Sequence, residues 1–282
     1  MTDLYAVVGN PIKHSLSPEI HHQFGLQTQQ DIGYEKILAP LGEFAETAKK
    51  FFTEGGAGLN VTVPFKLDAF EYADTLTERA KTAGAVNTLA VQADGSVLGD
   101  NTDGAGLVAD LKHHLGWSIT GKKILLLGAG GASRGALLPL LKEQPAQLHI
   151  ANRTAARAVQ LAKDFSGYGS LTAGGLADIP DGFDLIINAS AASLAGERPP
   201  VADAVVGPAC CAYDMVYGAE PTPFMQWAAD LGAKTSDGLG MLVGQAAEAF
   251  YLWRGVRPQV EPVLATLRER LYAKLQEEPG NK

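Results

Sequence analysis

The run KILLLGAGGASRGALLPLLKE, which starts at Lys123, sets the tightest limit on what this chain can fold into. A short apolar stretch leads into a glycine turn, and an apolar-periodic segment follows at once. Strand, tight turn and helix in that order open a parallel β-α-β unit. Gly128 permits the turn, and Gly130 lets the backbone approach a pyrophosphate held at the helix N-terminus. Ser133, at the third fingerprint position, is small enough for helix-strand packing but departs from glycine. Beyond it, QLHIANRT reads as a second strand, AARAVQLAKDF as a helix, FDLIINAS and CCAYDMVY as further strands, and PTPFMQWAADLGA as another helix. This alternation predicts an α/β fold with a doubly wound parallel sheet covered by helices on both faces.

The residues before it alternate as well. YAVVG, YEKILA, GLNVTVPF and AVNTLAV have strand character, SPEIHHQFGLQ and EFAETAKKFFTE helical character, and QADGSVLG reads as a hairpin. The polar turn GDNTDG closes this first α/β unit, and AGLVADLKHHL starts a connecting helix. Two amphipathic helices, LGMLVGQAAEAFYLWRG and VEPVLATLRERLYAKL, follow the parallel unit, and the last five residues are expected to fray. With 282 residues, two domains and a cleft between them fit better than one.

Charge and composition exclude several functions. The net charge is −8, and no cluster of Lys and Arg is longer than two, which argues against nucleic acid as a partner. No apolar run approaches the roughly 20 residues of a membrane span, and MTDLYAVVGNPI lacks the basic start of a secretory signal. Cys210 and Cys211, as sequence neighbours, cannot staple distant segments or supply a zinc site, so a cytoplasmic location is expected. The histidines, His14, His21, His22, His113, His114 and His149, show no ligand spacing, and no metal is assigned.

Three short segments carry hydrogen-bonding groups where a plain fold needs none. In GLNVTVPFK, Gly58 to Lys66, an extended chain would turn Val61, Val63 and Phe65 to an apolar face and Asn60, Thr62 and Lys66 to a chemical one. Pro64, lacking an amide hydrogen, should end regular pairing just before Lys66. In HSLSPEIHH, Ser17 can cap a helix with Pro18 at its first position, or Ser15 and Ser17 can together hold a carboxylate; local sequence supports both readings equally. In GDNTDGAG, Asn101 and Asp103 pose the same choice between an ordinary N-cap and a ligand site.

The end of the second strand of the parallel unit selects the cofactor. An enzyme that uses NAD places an acidic residue there for the ribose 2′-hydroxyl. This chain has NRT instead: Arg153 offers a guanidinium fork to a 2′-phosphate, Asn152 and Thr154 offer neutral donors, and Arg157 follows in the first turn of the next helix. The sequence therefore predicts NADP; a solvated Arg153 with Thr154 as N-cap is the bland alternative.

Taken in order, GNPIKHSLSP, GLNVTVPFK, GAVNTL, GDNTDG, GAGGASRG, NRT, YDMVYG and DGLGMLVGQAAEAF closely resemble the shikimate dehydrogenase family along nearly the whole chain. The resemblance implies a substrate domain over residues 1–103, a Rossmann-like NADP domain over 104–238, and C-terminal helices, 239–282, packed back on the first. It implies reversible reduction of 3-dehydroshikimate to shikimate by NADPH, in chorismate and aromatic amino acid biosynthesis, by a monomer or homodimer. Lys66 and Asp103 match the family's catalytic pair. Ser15, Ser17, Asn60, Thr62, Asn87, Tyr217 and Gln245 match its substrate contacts. Gly128, Ala129, Gly130, Gly131, Ala132, Asn152, Arg153, Thr154, Arg157, Ser190, Met215 and Gly238 match its cofactor contacts, with Glu78 a weaker match. One segment departs from the family: where NATSxG is usual, residues 188–193 read NASAAS, so a serine, Ser193, replaces the glycine.

Overall fold

Ile124, Leu125, Leu126 and Leu127 are all fully buried, a burial that one covered face cannot give an extended chain. In the computed structural model, which describes residues 2–277, their strand lies at the centre of a sheet with a core on each side. Ile124 and Leu126 join Leu137, Leu140 and Leu141 in one core, while Leu125 and Leu127 join Phe224 and Ala228 in another. The strands of this sheet are β7 (Lys123–Leu127), β8 (Gln147–Ala151), β9 (Leu171–Gly174), β10 (Phe183–Asn188), β11 (Val206–Asp214) and β12 (Lys234–Ser236). They pair in the order β12-β11-β10-β7-β8-β9, all parallel. The intervening helices are α6 (Gly131–Lys142), α7 (Ala155–Asp164) and α8 (Pro223–Asp230). The strand order reverses between β7 and β10, and a crevice for a dinucleotide opens at such a switch point.

The chain before it builds a second six-stranded sheet from β1 (Asp3–Gly9), β2 (Ile32–Leu38), β3 (Gly56–Val61), β4 (Thr75–Leu76), β5 (Thr88–Val91) and β6 (Val97–Asp100). Their order is β2-β1-β3-β5-β6-β4, with β5 antiparallel to both neighbours and the other pairs parallel. Its helices are α1 (Ser17–Thr28), α2 (Phe44–Thr53), α3 (Lys66–Tyr72) and α4 (Glu78–Ala83). α5 (Asp103–Ala109) leaves this sheet and continues as a π-helical turn over Asp110–His114. There the buried Asp110 carboxylate accepts from the Tyr213 hydroxyl at 2.6 Å and lies 3.1 Å from His114 Nδ1.

The last helices, α9 (Leu239–Arg254) and α10 (Glu261–Glu277), return to the first sheet. Leu239, Val243, Phe250, Val263 and Leu267 form one core with Ile20 and Phe24 of α1. Trp253 stacks on Tyr5 at 4.5 Å and donates to the Leu89 carbonyl at 3.0 Å, and Arg254 is paired with Asp3.

Three sequence expectations need correction. The strands β4, β9 and β12 are too short or too polar to carry a periodic signal and were not anticipated. The GLNVTVPFK strand stops at Val61, so alternation does not reach Val63, which is 62 % exposed while Val61 and Phe65 are buried. Phe65 comes inward through the turn, as the residue preceding α3, and packs on Phe44 at 5.6 Å. The connecting helix begins at Asp103, two residues before the apolar pattern does. The expected fraying of the last five residues lies outside the described residues.

His21, on α1, makes the fold sensitive to acid. It is fully buried, neither ring nitrogen has a hydrogen-bond partner among the described residues, and it stacks on Tyr34 at 4.4 Å. Burial pushes its pKa down to about 3, with Asn60 acting in the opposite sense. The unfolded chain, where His21 titrates near 6.5, then binds more protons than the folded one between those values. Stability from this residue is complete above about pH 6.5 and is lost as pH falls toward about 3. His21→Phe is expected to flatten the rise of the urea midpoint with pH across that window. An unchanged slope would exclude His21 as its source.

Candidate active site

A cavity of about 640 Å³ opens between the ends of the two sheets, a volume suited to a small ligand. Its walls include Ser15, Ser17, Asn60, Thr62, Lys66, Asn87, Asp103, Tyr217 and Gln245, so every residue singled out for substrate contact or catalysis faces one space. Val7, Ile12, Leu16, Val61, Met215, Met241 and Leu242 give it an apolar lining.

Lys66 and Asp103 meet in a close ion pair on one wall, with side chains 31 % and 14 % exposed. Each is the first residue of a helix, α3 and α5 respectively. A carboxylate is favoured at a helix N-terminus and an ammonium is not, so the Lys66 charge leans on Asp103. The other Asp103 oxygen accepts from Asn87 Nδ2 at 2.8 Å. Asn87 is held in turn: its Oδ1 accepts from the Thr102 amide and from the Thr88 hydroxyl, each at 2.9 Å. Its Nδ2 also reaches Thr102 Oγ1 at 2.9 Å and Gln245 Oε1 at 3.4 Å.

The network continues into the first sheet. The Tyr34 hydroxyl donates to Asn60 Oδ1 at 2.7 Å, and Asn60 Nδ2 donates to Thr88 Oγ1 at 3.1 Å. Burial pushes the Tyr34 phenol well above its ordinary pKa, so it remains a proton donor in this contact. Neither Tyr34 nor Thr88 was singled out in the sequence. Thr88 follows Asn87 directly in GAVNTL and was within reach of the motif, whereas nothing local marks Tyr34.

At the two ambiguous helix starts, neither Ser17 nor Asp103 acts as the cap. Ser17 is already inside α1, and its side chain makes no cap hydrogen bond. Its amide donates to Ser15 Oγ at 3.3 Å, and the Ser15 hydroxyl donates to Ser17 Oγ at 3.2 Å, so both serines stand together at the cavity wall. Asp103 likewise caps nothing, because its oxygens are taken by Lys66 and Asn87.

At the second sheet, Gly128 has φ +110°, and a Cβ there would come within 3.0 Å of the Ala189 carbonyl oxygen. At Gly130 a Cβ would meet nothing within 4 Å, and among the described residues no side chain caps α6, which begins beside it. The first-turn amides of α6 therefore face open space, the geometry that receives a pyrophosphate. Ser133 is fully buried, as the third fingerprint position requires, with no partner for its hydroxyl among the described residues. Arg153 and Arg157 are exposed beyond the end of β8, and Asn152 Nδ2 donates to the Thr154 carbonyl at 3.0 Å. Thr154 occupies the N-cap position of α7 without a side-chain cap bond, which leaves its hydroxyl unspent. Arg134, in contrast, is consumed by an ion pair with Asp164. These residues fit a phosphorylated dinucleotide.

Met215 and Gly238 lie on the wall where the two regions join, and the Gly238 amide donates to the Val216 carbonyl at 3.2 Å. Ser190 does not line the cavity: its amide and hydroxyl both turn back to Asn188 Oδ1, at 3.1 and 2.7 Å. In the departing segment, the Ser193 hydroxyl donates to the buried Asp214 at 2.5 Å, a tether that a glycine could not make. Leu194, next to it, is 76 % exposed and lines the cavity. Glu78 lies elsewhere, paired with Lys142 at 2.6 Å on the wall of a different cavity.

Family models match three parts of the chain. "Shikimate dehydrogenase substrate binding domain" matches residues 7–89, "Shikimate / quinate 5-dehydrogenase" residues 110–196, and "Shikimate 5'-dehydrogenase C-terminal domain" residues 238–268. The shikimate dehydrogenase (NADP(+)) of Cellvibrio japonicus is 59 % identical over 276 residues, covering 97 % of this chain and 100 % of that one. Among solved structures, an Ael1 enzyme from Pseudomonas putida superposes with a TM-score of 0.90 at 43 % identity, over 94 % of this chain and 98 % of that one. The shikimate 5-dehydrogenase of Thermus thermophilus, solved with NADP(H) and shikimate, gives 0.83 at 31 % identity, over 95 % and 99 %.

Proposed function

This chain belongs to the shikimate dehydrogenase family, oxidoreductases that interconvert shikimate and 3-dehydroshikimate with NADP, and from that premise we propose that Lys66 and Asp103 serve this reaction in the cavity between the sheets. The observation that carries the reading is the Lys66–Asp103 pair on a wall shared with Ser15, Ser17, Asn60, Asn87 and Gln245. The reaction belongs to aromatic amino acid biosynthesis. We take residues 1–103 as the substrate unit, 104–238 as the cofactor unit, and 239–282 as the segment that returns to the first. The free thiols of Cys210 and Cys211 suit a cytoplasmic setting, and no described helix is long and apolar enough to cross a membrane.

When bound, NADPH supplies the hydride for the carbonyl carbon. Negative charge develops on the carbonyl oxygen, and the Lys66 ammonium answers it with an N–H donor and, at the end of the step, a proton. Asp103 holds that ammonium against the wall and is itself held by Asn87. Ser15 and Ser17 present two hydroxyls to the substrate carboxylate, and Asn60, Thr62, Asn87 and Gln245 present amide and hydroxyl groups to the ring hydroxyls. The apolar lining lowers the polarity around these contacts and so strengthens them. On the cofactor side, the open turn at Gly128–Ala132 would hold the pyrophosphate, and Arg153 and Arg157 would supply charged donors to the 2′-phosphate.

The direct test follows NADPH oxidation with 3-dehydroshikimate beside quinate oxidation with NAD. The first pair is expected to turn over at least about 100-fold faster, because one charge-assisted contact to the 2′-phosphate and one unmatched polar group each contribute about 1.5–3 kcal/mol. Equal rates would make the enzyme a quinate/shikimate dehydrogenase of broad cofactor use.

A further inference from the structure

The segment that leaves β6 and carries Asp103 is anchored from the side by α4. Asp100, the last residue of β6, is 1 % exposed. Its Oδ1 accepts from Arg79 Nε at 2.7 Å, from the Thr77 hydroxyl at 2.6 Å and from the Asn101 amide at 2.7 Å, and its Oδ2 accepts from Arg79 Nη2 at 2.5 Å. Burial alone would raise the Asp100 pKa; the Arg79 guanidinium and these donors outweigh it and hold the carboxyl below its ordinary value. The remaining Arg79 arm, Nη1, reaches Glu248 Oε2 at 3.5 Å on α9, one turn beyond Gln245. Thr77, Arg79, Asp100, Asn101 and Glu248 all lie outside the lining of the reaction cavity.

Asp100 is the last paired residue, in register with Thr88 and with its carbonyl accepting from the Asn87 amide at 3.0 Å; beyond it, among the described residues, the chain has no strand partner. Asn101 Nδ2 donates to the Ala85 carbonyl at 3.1 Å, and Asn101 Oδ1 accepts from the Asp103 amide at 3.3 Å. Thr102 donates its amide to Asn87 at 2.9 Å. A rotation of Asp100 acts on the Asp103 carboxylate through only two intervening residues, Asn101 and Thr102.

We propose that Arg79 is a positioning residue for the Lys66–Asp103 pair, its two-pronged grip on Asp100 setting where the Asp103 carboxylate meets the Lys66 ammonium. The proposal rests on the reading of Lys66 and Asp103 as the reacting pair. A planar fork fixes both distance and direction of a carboxylate, whereas an ammonium fixes only a point of charge. Arg79→Lys should thus keep the fold and lose the alignment. A buried pair that only stabilised the fold would behave differently, affecting melting temperature without a specific effect on the chemical step.

The test measures kcat and KM for shikimate in the full-length enzyme carrying Arg79→Lys, alone and with Asp103→Asn, with single-turnover rates where activity is low. Because Arg79→Gln would leave Asp100 buried and unpaired, the double variant Arg79→Gln/Asp100→Asn serves as a second probe that removes the charge as well. Each is expected to lower kcat about tenfold or more with KM within about threefold, since small misplacements of reacting groups cost that much. In the Asp103→Asn background neither should lower kcat further. Equal factors in both backgrounds would overturn the proposal and leave the role of Asp103 intact. Unchanged kcat in both folded probes would overturn it too. Wild-type kcat for Asp103→Asn alone would overturn the reading of the pair, and this proposal with it.

Discussion

Lys66→Ala is expected to lower kcat about 10³-fold while KM for shikimate changes by less than about fivefold, because a positioned proton donor contributes roughly 10²–10⁴ to the rate. The contact of Lys66 with the substrate oxygen strengthens as charge develops there, so its loss falls on the transition state and little on the bound ground state. The fold should tolerate the change. Lys66 is about one-third exposed, and the Asp103 carboxylate left behind keeps its Asn87 hydrogen bond. Stopped-flow measurement of NADPH formation from NADP and shikimate, with thermal melting as a control for folding, checks both parts. A variant with wild-type kcat would remove Lys66 from the chemistry.

Arg153→Ala is expected to weaken NADPH binding by about 10- to 100-fold and to leave NADH binding within about twofold. A charge-assisted hydrogen bond contributes roughly 1.5–3 kcal/mol, and the 2′-phosphate is the only difference between the two cofactors. Arg153 stands exposed past β8, so its removal uncovers no core and breaks no network. Adding Arg157→Ala should widen the effect, since both guanidinium groups lie on the same end of β8 and the first turn of α7. Fluorescence titration with each cofactor reports the ratio directly. An unchanged ratio in the single variant would refute the assignment of the phosphate to Arg153.

Much of this was legible in the sequence. The Leu-rich run before Gly128 announced a strand buried on both faces, and both faces are covered. Alternation in GLNVTVPFK separated Asn60 from the core residue Val61, while Phe65 and Lys66 reached the core and the cavity through the turn into α3. It failed at Val63, because alternation holds only while the backbone stays extended, and β3 ends at Val61. The strands β4 and β12 escaped notice because two or three residues carry no period.

The helix starts show a different limit. Ser17 and Asp103 both have side chains that can cap, and local propensity favours that use. At Asp103 tertiary partners won, because Lys66 and Asn87 take both its oxygens, whereas Ser17 is met by a local partner, Ser15, two residues upstream. The same competition assigned Arg79 to Asp100 and sent Glu78, its sequence neighbour, to Lys142 and away from the reaction cavity.

The sequence by itself determined the kind of the longer, periodic elements and the chemical groups at their ends, because periodicity and turn chemistry act over a few residues; α3, α4, β4, β9 and β12 carried no such signal. Only the tertiary structure decided which of those groups meet. Lys66 and Asp103 are 37 residues apart, Asn87 and Gln245 158, and Arg79 and Glu248 169. Hydrogen bonds and ion pairs act over a few ångströms, so such partners find each other only after two sheets and a returning helix have brought their ends together.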